Sequence, residues 1–230
     1  MNTPSADNRL LLVPSKILTV FAHADDEVIG CGGTLKANFN RGGTNLVLCL
    51  TGGDNITRAK ELADATSMLG ADYNIKSFAE GALGTTHGEV TDIVVQTIRE
   101  FRPEYIITHR PEDDYHQDHQ DTGHLVLHAA KKAQAGTQGH FANGVLLTET
   151  HSMHPDFHVA VDISNEYETV LAALQAHASQ HAKGSGYYSD LIKAKTALRG
   201  LQAGCERAEA FQFRPIGITG AFHRRNYGRK

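Results

Sequence analysis

Two short clusters of histidine and aspartate contain the side-chain types that bind divalent metal ions. They are His23-Ala-Asp25-Asp26-Glu27 and Asp113-Asp-Tyr-His116-Gln-Asp118-His119. The chain has fourteen histidines among 230 residues, and histidine is both a common metal ligand and a proton carrier near neutral pH. The two clusters therefore predict metal chemistry or proton transfer.

The residue types fit the roles that a zinc hydrolase requires. A catalytic zinc ion has three His or carboxylate ligands and a fourth position for water, whose pKa it lowers to about 7. His23, Asp26 and His119 could supply that ligand set. Asp25, which points differently from its neighbour in a turn, could accept the proton of the water, and His116 could stabilise an oxyanion or protonate a leaving amine.

Alternating hydrophobic patterns predict the elements that position these clusters. Residues 17–22 form a continuous apolar run, typical of a buried parallel strand. Further strands are predicted at 46–50, 105–108 and 145–148, and helices at 30–39, 57–69, 90–101 and 120–135. This alternation indicates an α/β fold with a parallel sheet flanked by helices. Ligands of such sheets bind beyond the carboxyl ends of the strands, where both clusters lie.

The C-terminal part departs from strict alternation. A strand is predicted at 159–163 and helices at 167–177 and 189–203, an arrangement that could form a cap on the sheet. The length favours one domain, and the chain has no linker or repeat. We therefore predict an N-terminal extension (1–16), a single domain (17–215) and a C-terminal tail (216–230).

Composition excludes several classes of partner. The net charge is -4 and no long Lys/Arg block is present, so nucleic acid is not an expected partner. The apolar run Leu10–Val13 is too short for a signal peptide core or a membrane span, so we expect a cytoplasmic protein without a membrane partner. The cysteines, Cys31, Cys49 and Cys205, form neither a CxxC motif nor a disulfide framework.

One block of sequence is similar to a known family. Residues 23–35, His-Ala-Asp-Asp-Glu-Val-Ile-Gly-Cys-Gly-Gly-Thr-Leu, closely resemble the signature of PIG-L/LmbE-like N-deacetylases, with Ala24 where proline is usual. Further matches in family order are Thr51-Gly-Gly-Asp54, Arg58, Glu61, Leu69-Gly70, His116-x-x-His119, Gly123, Val161-Asp-Ile163, His177-Ala-Ser-Gln180 and Ala208-Glu-Ala-Phe211. The resemblance spans roughly residues 17–213 as scattered motifs.

The resemblance implies a Rossmann-like fold and a complete set of site residues. His23, Asp26 and His119 correspond to the metal ligands and Asp25 to the general base. His116 matches the histidine that steadies the oxyanion or acts as acid. Arg58 matches an arginine that grips substrate, and Asp54, Asp118 and His177 complete the predicted substrate-binding set.

The implied reaction is hydrolysis of an N-acyl group, expected to be acetyl, by a water that the metal activates. The expected cofactor is Zn²⁺, although another divalent metal would suit the same ligands. The expected partner is a small-molecule N-acylated amino sugar or glycoconjugate, and the protein could form a homo-oligomer. Two alternatives remain: a zinc-dependent hydratase of an unsaturated carboxylic acid on the same fold, and a non-catalytic carbohydrate-binding homologue.

Several residues also have purely structural interpretations. Arg58 could be a surface residue, Asp54 a turn residue, and His177 a hydrogen-bonded helix histidine. His124 and His128 have the i, i+4 spacing of a zinc-binding pair but lack the glutamate of HExxH, which favours a structural role. We place His151, His154 and His158 in loops or at the surface, although one of them could line the pocket.

Overall fold

A seven-stranded sheet forms the centre of the computed structural model, which describes residues 15–183 and 185–216. The strands are β1 (Lys16–Phe21), β2 (Thr44–Thr51), β3 (Ala71–Phe78), β4 (Tyr105–His109), β5 (Gly144–Thr148), β6 (Val159–Asp162) and β7 (Ala208–Pro215). Their order is β3-β2-β1-β4-β5-β7-β6. Strands β1 to β5 are parallel, whereas β7 is antiparallel to both neighbours. The predicted α/β fold is confirmed.

Helices cover both faces of this sheet. They are α1 (Asp26–Asn40), α2 (Ile56–Leu69), α3 (His87–Phe101), α4 (Gln117–Lys132), α5 (Tyr167–Ala176), α6 (Ala178–Lys183) and α7 (Tyr187–Ala203). Successive strand side chains point to opposite faces, so Ile17 and Phe21 belong to one hydrophobic core and Leu18 and Val20 to the other. Burial on both faces explains why residues 17–22 read as one apolar run.

The C-terminal region differs from the predicted cap. Strands β6 and β7 extend the sheet beyond β5, and α5 and α7 join the core that α1 and α2 share. Strand β3 is not apparent from the sequence pattern, because it lies at an edge and exposes Asp72, Asn74 and Ser77. Both differences arise because strand order and edge position depend on pairing with distant segments.

The described residues begin and end close to the predicted domain limits. Strand β1 begins at Lys16 and β7 ends at Pro215. Most of the predicted extension (1–16) and tail (216–230) lies outside the described residues. Within residues 15–183 and 185–216, no helix is both long and apolar enough to cross a membrane.

Helix α1 is broken at Cys31, whose φ of -156° is not helical. The break leaves backbone groups that other elements satisfy. Lys195 of α7 donates to the Ile29 carbonyl at 2.7 Å, and Glu209 of β7 accepts the Gly33 and Thr34 N–H groups at 2.9 and 2.7 Å. The sequence predicts only the part of this helix from Gly30 onward. The residues before Gly30, which begin with Asp26, belong to the site.

Candidate active site

The two predicted metal-binding clusters meet at one edge of the sheet. His23 follows β1, and the second cluster follows β4, which pairs directly with β1 through Val20 and Thr108. The chain runs from β1 to β2 and β3 on one side of β1 and then crosses to β4 on the other side. The crevice between β1 and β4 therefore lies at the point where the strand order reverses. Ligands of open α/β sheets bind at this position.

His23, Asp26 and His119 converge as the sequence predicts. Nδ1 of His23 lies 3.2 Å from Nε2 of His119 and 3.4 Å from Oδ2 of Asp26. Nε2 of His119 lies 3.4 Å from Oδ1 of Asp26. A tetrahedral ion with bonds of 2.0–2.1 Å separates its ligand atoms by about 3.3–3.4 Å. The two imidazole nitrogens have this spacing, and Asp26 faces each of them with a different oxygen. The donor types and the spacing therefore fit a zinc-sized ion.

Both imidazoles are held from behind by carboxylates. Oδ2 of Asp118 lies 3.2 Å from Nε2 of His23 and also accepts the Gly81 N–H at 2.7 Å. Oδ2 of Asp114 lies 3.0 Å from Nδ1 of His119. Such a carboxylate fixes the tautomer and leaves the opposite nitrogen free to bind a metal. The free nitrogens are those that face each other and Asp26.

The charges of the cluster also favour a cation. Burial opposes a charge on His23, but its hydrogen bond to Asp118 and the carboxylate of Asp26 raise its pKa to about 10. Burial likewise opposes a charge on His119, whose pKa Asp26 and Asp114 raise to about 9. The carboxylates thus stabilise positive charge at the centre of the cluster, which protons or a divalent ion can supply.

Other groupings of potential ligands also contain His119. Donor atoms within 4.8 Å of one another also occur in His23–His116–His119, Asp26–His109–His119 and Asp114–His119–His151. In the first, His116 uses Nδ1 to accept the Asp118 N–H at 3.2 Å. In the second, Nε2 of His109 faces the Ala22 N–H at 3.2 Å, and in the third Asp114 is already bonded to His119. The second and third groupings therefore include an atom with a competing partner, whereas His116 in the first keeps Nε2 free.

Asp25 has the environment expected of a general base or acid. It is buried, its φ of 127° is rare for a residue other than glycine, and its N–H donates to Glu27 at 2.9 Å. Burial and the negative charge of Asp26 raise its pKa to about 7, although Arg58 opposes this shift. A carboxyl group with a pKa near neutrality can both accept and return a proton.

His116 presents one nitrogen to the site. It caps the N-terminus of α4, where Nδ1 accepts the Asp118 N–H, so in the neutral ring Nε2 carries the proton. Its ring centroid lies 4.6 Å from that of His23. Burial and the neighbouring charge of His23 lower the pKa of His116. The neutral ring can therefore donate a hydrogen bond beside the metal-binding cluster.

Arg58 and Asp54 line a cavity of about 760 Å³ next to Asp25. The Arg58 guanidinium is buried, donates to the Ala24 carbonyl and lies 3.8 Å from the Asp25 carboxylate. Its Nη1 is buried without a protein partner. The cavity therefore offers a cationic donor and an exposed carboxylate beside the reactive carboxyl group.

Comparison with known proteins identifies the family. A family model described as GlcNAc-PI de-N-acetylase (PIG-L) matches residues 18–130. A protein of Bacillus cereus, named probable N-acetyl-alpha-D-glucosaminyl L-malate deacetylase 2, is 30% identical over 185 residues, which cover 71% of this chain and 83% of that protein. The chain belongs to the PIG-L family of de-N-acetylases. This family is enzymatic, and its deacetylases depend on a metal.

Solved structures of similar fold extend the comparison beyond deacetylases. The conserved protein TT1542 from Thermus thermophilus is 26% identical with a TM-score of 0.77, over 88% of this chain and 95% of that one. GalB, the 4-carboxy-2-hydroxymuconate hydratase from Pseudomonas putida, is 22% identical with a TM-score of 0.71, over 86% and 95%. The likeness to GalB shows the fold alone. Fold alone does not determine the reaction of a PIG-L protein, which depends on the residues of its site.

Asp118 and His177 occupy positions that differ from the substrate-facing ones predicted for them. Both are buried: Asp118 lies behind His23, and Nε2 of His177 lies 2.7 Å from Oε1 of Glu27. Glu27 in turn holds the Asp25 N–H. In this PIG-L site the two residues therefore contact the groups that orient His23 and Asp25, and the hydrogen-bonded interpretation of His177 fits the structure better.

Sequence reasoning misses three residues of the site. Asp114 supports His119, and His109, the last residue of β4, stacks on the His119 ring with centroids 3.9 Å apart. His151 lies in a loop, as expected, and is the one of the three histidines 151, 154 and 158 that stacks on His119, with centroids 5.0 Å apart. Asp114 could have been found as the expected carboxylate partner of a metal-binding histidine. His109 and His151 carry no comparable local signal.

The histidines at 124, 128, 154 and 158 are not among the grouped potential metal ligands. His154 lies in a loop, as expected, but it is buried because that loop is held against α7. His158 is exposed and accepts the Phe213 N–H at 3.0 Å. His124 and His128 are exposed on α4 and line a separate cavity of about 390 Å³.

Proposed function

We propose that this protein is a zinc-dependent deacetylase that hydrolyses the N-acetyl amide of an amino-sugar conjugate, with His23, Asp26 and His119 as metal ligands. The convergence of one carboxylate and two imidazole nitrogens within 3.2–3.4 Å carries the proposal. A bound zinc ion would act as a Lewis acid that polarises an amide carbonyl and would lower the pKa of water to about 7. The protein residues perform the proton transfers.

Asp25 is the proposed general base. Its buried carboxylate accepts a proton as water attacks the acyl carbon, and its pKa of about 7 allows it to release that proton later. The N–H group at Nε2 of His116 stabilises the negative oxygen that forms on the acyl carbon. Asp25 or His116 then donates a proton to the departing nitrogen, and acetate and a free amine result.

Arg58 and Asp54 are the proposed substrate-binding residues. The unpaired Nη1 of Arg58 can donate to a hydroxyl or an anionic group of the substrate, and Asp54 can accept from a substrate hydroxyl across the same cavity. The family model is named for GlcNAc-PI and the Bacillus cereus relative for a GlcNAc-malate conjugate. N-acetylglucosamine is common to both names, so a GlcNAc conjugate is the proposed substrate class.

The deciding experiment is acetate and amine release from a panel of N-acetylglucosaminides that differ in the attached group. Purified protein is assayed as isolated, after chelation, and after addition of zinc or another divalent metal. We expect chelation to abolish acetate release and zinc to restore it. If another divalent metal restores acetate release and zinc does not, that metal takes the place of zinc as the proposed cofactor.

Two outcomes would contradict deacetylation. Stoichiometric metal binding without cleavage of any amide, combined with hydration of an unsaturated dicarboxylic acid, would establish the hydratase alternative. Sugar binding without turnover of either substrate class would establish a non-catalytic carbohydrate-binding protein. Failure to bind any divalent metal would refute the roles given to His23, Asp26 and His119.

A further inference from the structure

Four aromatic side chains stand beside the metal-binding cluster, and one of them, Tyr188, also packs against a hydrophobic core. We call Tyr115, His151, Tyr187 and Tyr188 the aromatic wall. Tyr115 is 71% exposed and Tyr187 is 53% exposed, although burial of a tyrosine ring away from water is energetically favourable. Exposed aromatic rings that border a reactive site are available to contact a ligand.

The aromatic wall is continuous with the metal-binding cluster. The His151 ring stacks on that of His119, with centroids 5.0 Å apart and planes 8° apart. The Tyr115 and Tyr188 centroids lie 5.1 and 5.8 Å from that of His151, and Tyr187 contacts Tyr188 at 5.3 Å. A ligand whose acyl group reaches His119 would therefore lie within contact distance of these rings.

The hydroxyl groups of Tyr115 and Tyr188 have raised pKa values and remain protonated near neutral pH. Burial and the charge of Asp25 raise the pKa of Tyr188 to about 12. Burial and the charge of Asp114 also raise the pKa of Tyr115. The rings thus combine apolar faces with hydrogen-bond donors beside the site carboxylates, a combination suited to a molecule that has both C–H faces and hydroxyl groups.

A buried ion pair positions the part of the wall that His151 forms. His151 follows Glu149, whose carboxylate binds Arg199 of α7 and whose carbonyl oxygen accepts from Lys195. Tyr187 and Tyr188 begin the same helix. Because α7 holds both the histidine loop and the tyrosines, binding a ligand against the wall requires little ordering of the protein.

We propose that the aromatic wall binds the pyranose ring that carries the acetamido group, with the C–H face of the sugar stacked on Tyr115 and Tyr187. The inference rests on the proposed function, because it takes the substrate to be an amino sugar. It assigns the wall to the sugar ring and leaves the cavity that Arg58 and Asp54 line for the group attached to the sugar.

The test compares two acetamides that differ in the ring. Methyl N-acetylglucosaminide contains the pyranose, whereas N-acetylethanolamine has the same amide without it. We expect Tyr115→Ala and Tyr187→Ala each to raise KM for the glycoside by about fivefold to tenfold, because one stacking contact is lost. The kcat for the glycoside and the kcat/KM for N-acetylethanolamine stay at the wild-type values.

Two sets of variants separate stacking from general damage. Tyr115→Phe and Tyr187→Phe keep the ring and should retain most of the wild-type affinity, which a structural role of the hydroxyl would not explain. Tyr73→Ala removes a similarly exposed tyrosine from the edge strand β3 and should leave KM unchanged. Wild-type KM in both alanine variants, or equal losses for both acetamides, would overturn the proposal.

A binding measurement distinguishes failure of this inference from failure of the proposed function. Titration of methyl N-acetylglucosaminide by calorimetry or by tyrosine fluorescence needs no turnover, and the chain contains no tryptophan to obscure the tyrosine signal. Weaker binding by the alanine variants would support the wall even if wild-type protein releases no acetate. Unchanged binding in an active enzyme would refute the wall alone.

Discussion

Asp25 and Asp26 are chain neighbours with opposite electrostatic environments. Burial raises the pKa of Asp25 to about 7, with the charge of Asp26 adding to the shift. Burial also opposes ionisation of Asp26, but His119 and His109 hold its pKa well below the usual value. One carboxyl group is therefore suited to proton transfer and the other to remaining an anion. Two carboxyl groups with separated pKa values can take different roles in one reaction.

Asp25→Asn tests the role of the general base. Asparagine keeps the shape of the side chain but cannot accept the proton, so we expect kcat to fall by about 10²–10⁴-fold. Zinc content per chain, measured by atomic absorption, should stay at the wild-type value because Asp26 is intact. Near-wild-type acetate release by the zinc-loaded variant would contradict this role.

Asp118→Asn tests the carboxylate behind His23. The amide can still accept a hydrogen bond but no longer supplies the negative charge that makes the imidazole a better ligand. We expect zinc affinity, measured by competition with a chelator, to fall by about 10–100-fold. Asp121→Asn is the matched control, because Asp121 lies on the same helix and bonds to Gln117. If both variants bind zinc equally tightly, Asp118 has no role in metal binding.

At the scale of elements, the break in α1 connects the site to the C-terminal part of the chain. The carbonyls of Ile29 and Gly30 lose their helical partners near Cys31 and accept from Lys195 and Thr148 instead. A Cβ at Gly30 would lie 2.8 Å from the Thr148 side chain, so glycine permits this approach. The residues that hold the break in α1 therefore come from β5, β7 and α7.

Lys195→Met tests this connection. The variant leaves the buried carbonyls of Ile29 and Glu149 without their donor, and we expect the free energy of unfolding to fall by about 1–3 kcal/mol. Urea denaturation of the metal-free protein measures the change. Lys193→Met removes an exposed lysine from the same helix and should change the stability by less than about 0.5 kcal/mol. Equal stability of the two variants would show that the hydrogen bonds of Lys195 to these carbonyls do not stabilise the fold.

At the scale of the whole molecule, buried histidines make stability depend on pH. His154 is buried, and burial lowers its pKa to about 4, although Glu149 opposes the shift. The unfolded chain protonates this histidine near pH 6.5, before the folded protein does. Its stabilising contribution is therefore complete above pH 6.5 and is lost as the pH falls toward 4.

His154→Gln tests this dependence. Between pH 6.5 and 4, His154 should lower the free energy of unfolding by about 1.4 kcal/mol per pH unit, a slope that the variant lacks. Urea denaturation of metal-free protein across this range measures the difference between wild type and variant. His128→Gln, which changes an exposed histidine, should keep the wild-type slope. Parallel pH profiles of wild type and His154→Gln would contradict the prediction.

The sequence by itself determined the fold class and the central residues of the candidate site. Strands buried on both faces must be apolar throughout, so β1, β2, β4 and β5 are recognisable locally. His23, Asp26 and His119 are recognisable because each follows a strand at the end where ligands bind. These signals depend on residue type and short spacing.

Only the tertiary structure decided which side chains surround that centre. Asp118 lies 95 residues from His23 in the chain, and Glu27 lies 150 residues from His177. The aromatic wall combines a residue before α4, one after β5 and two from α7. No local pattern encodes such contacts, because hydrogen-bond and stacking partners are selected by the packing of distant elements. The antiparallel insertion of β7 has the same origin, since strand order is set by pairing across the sheet.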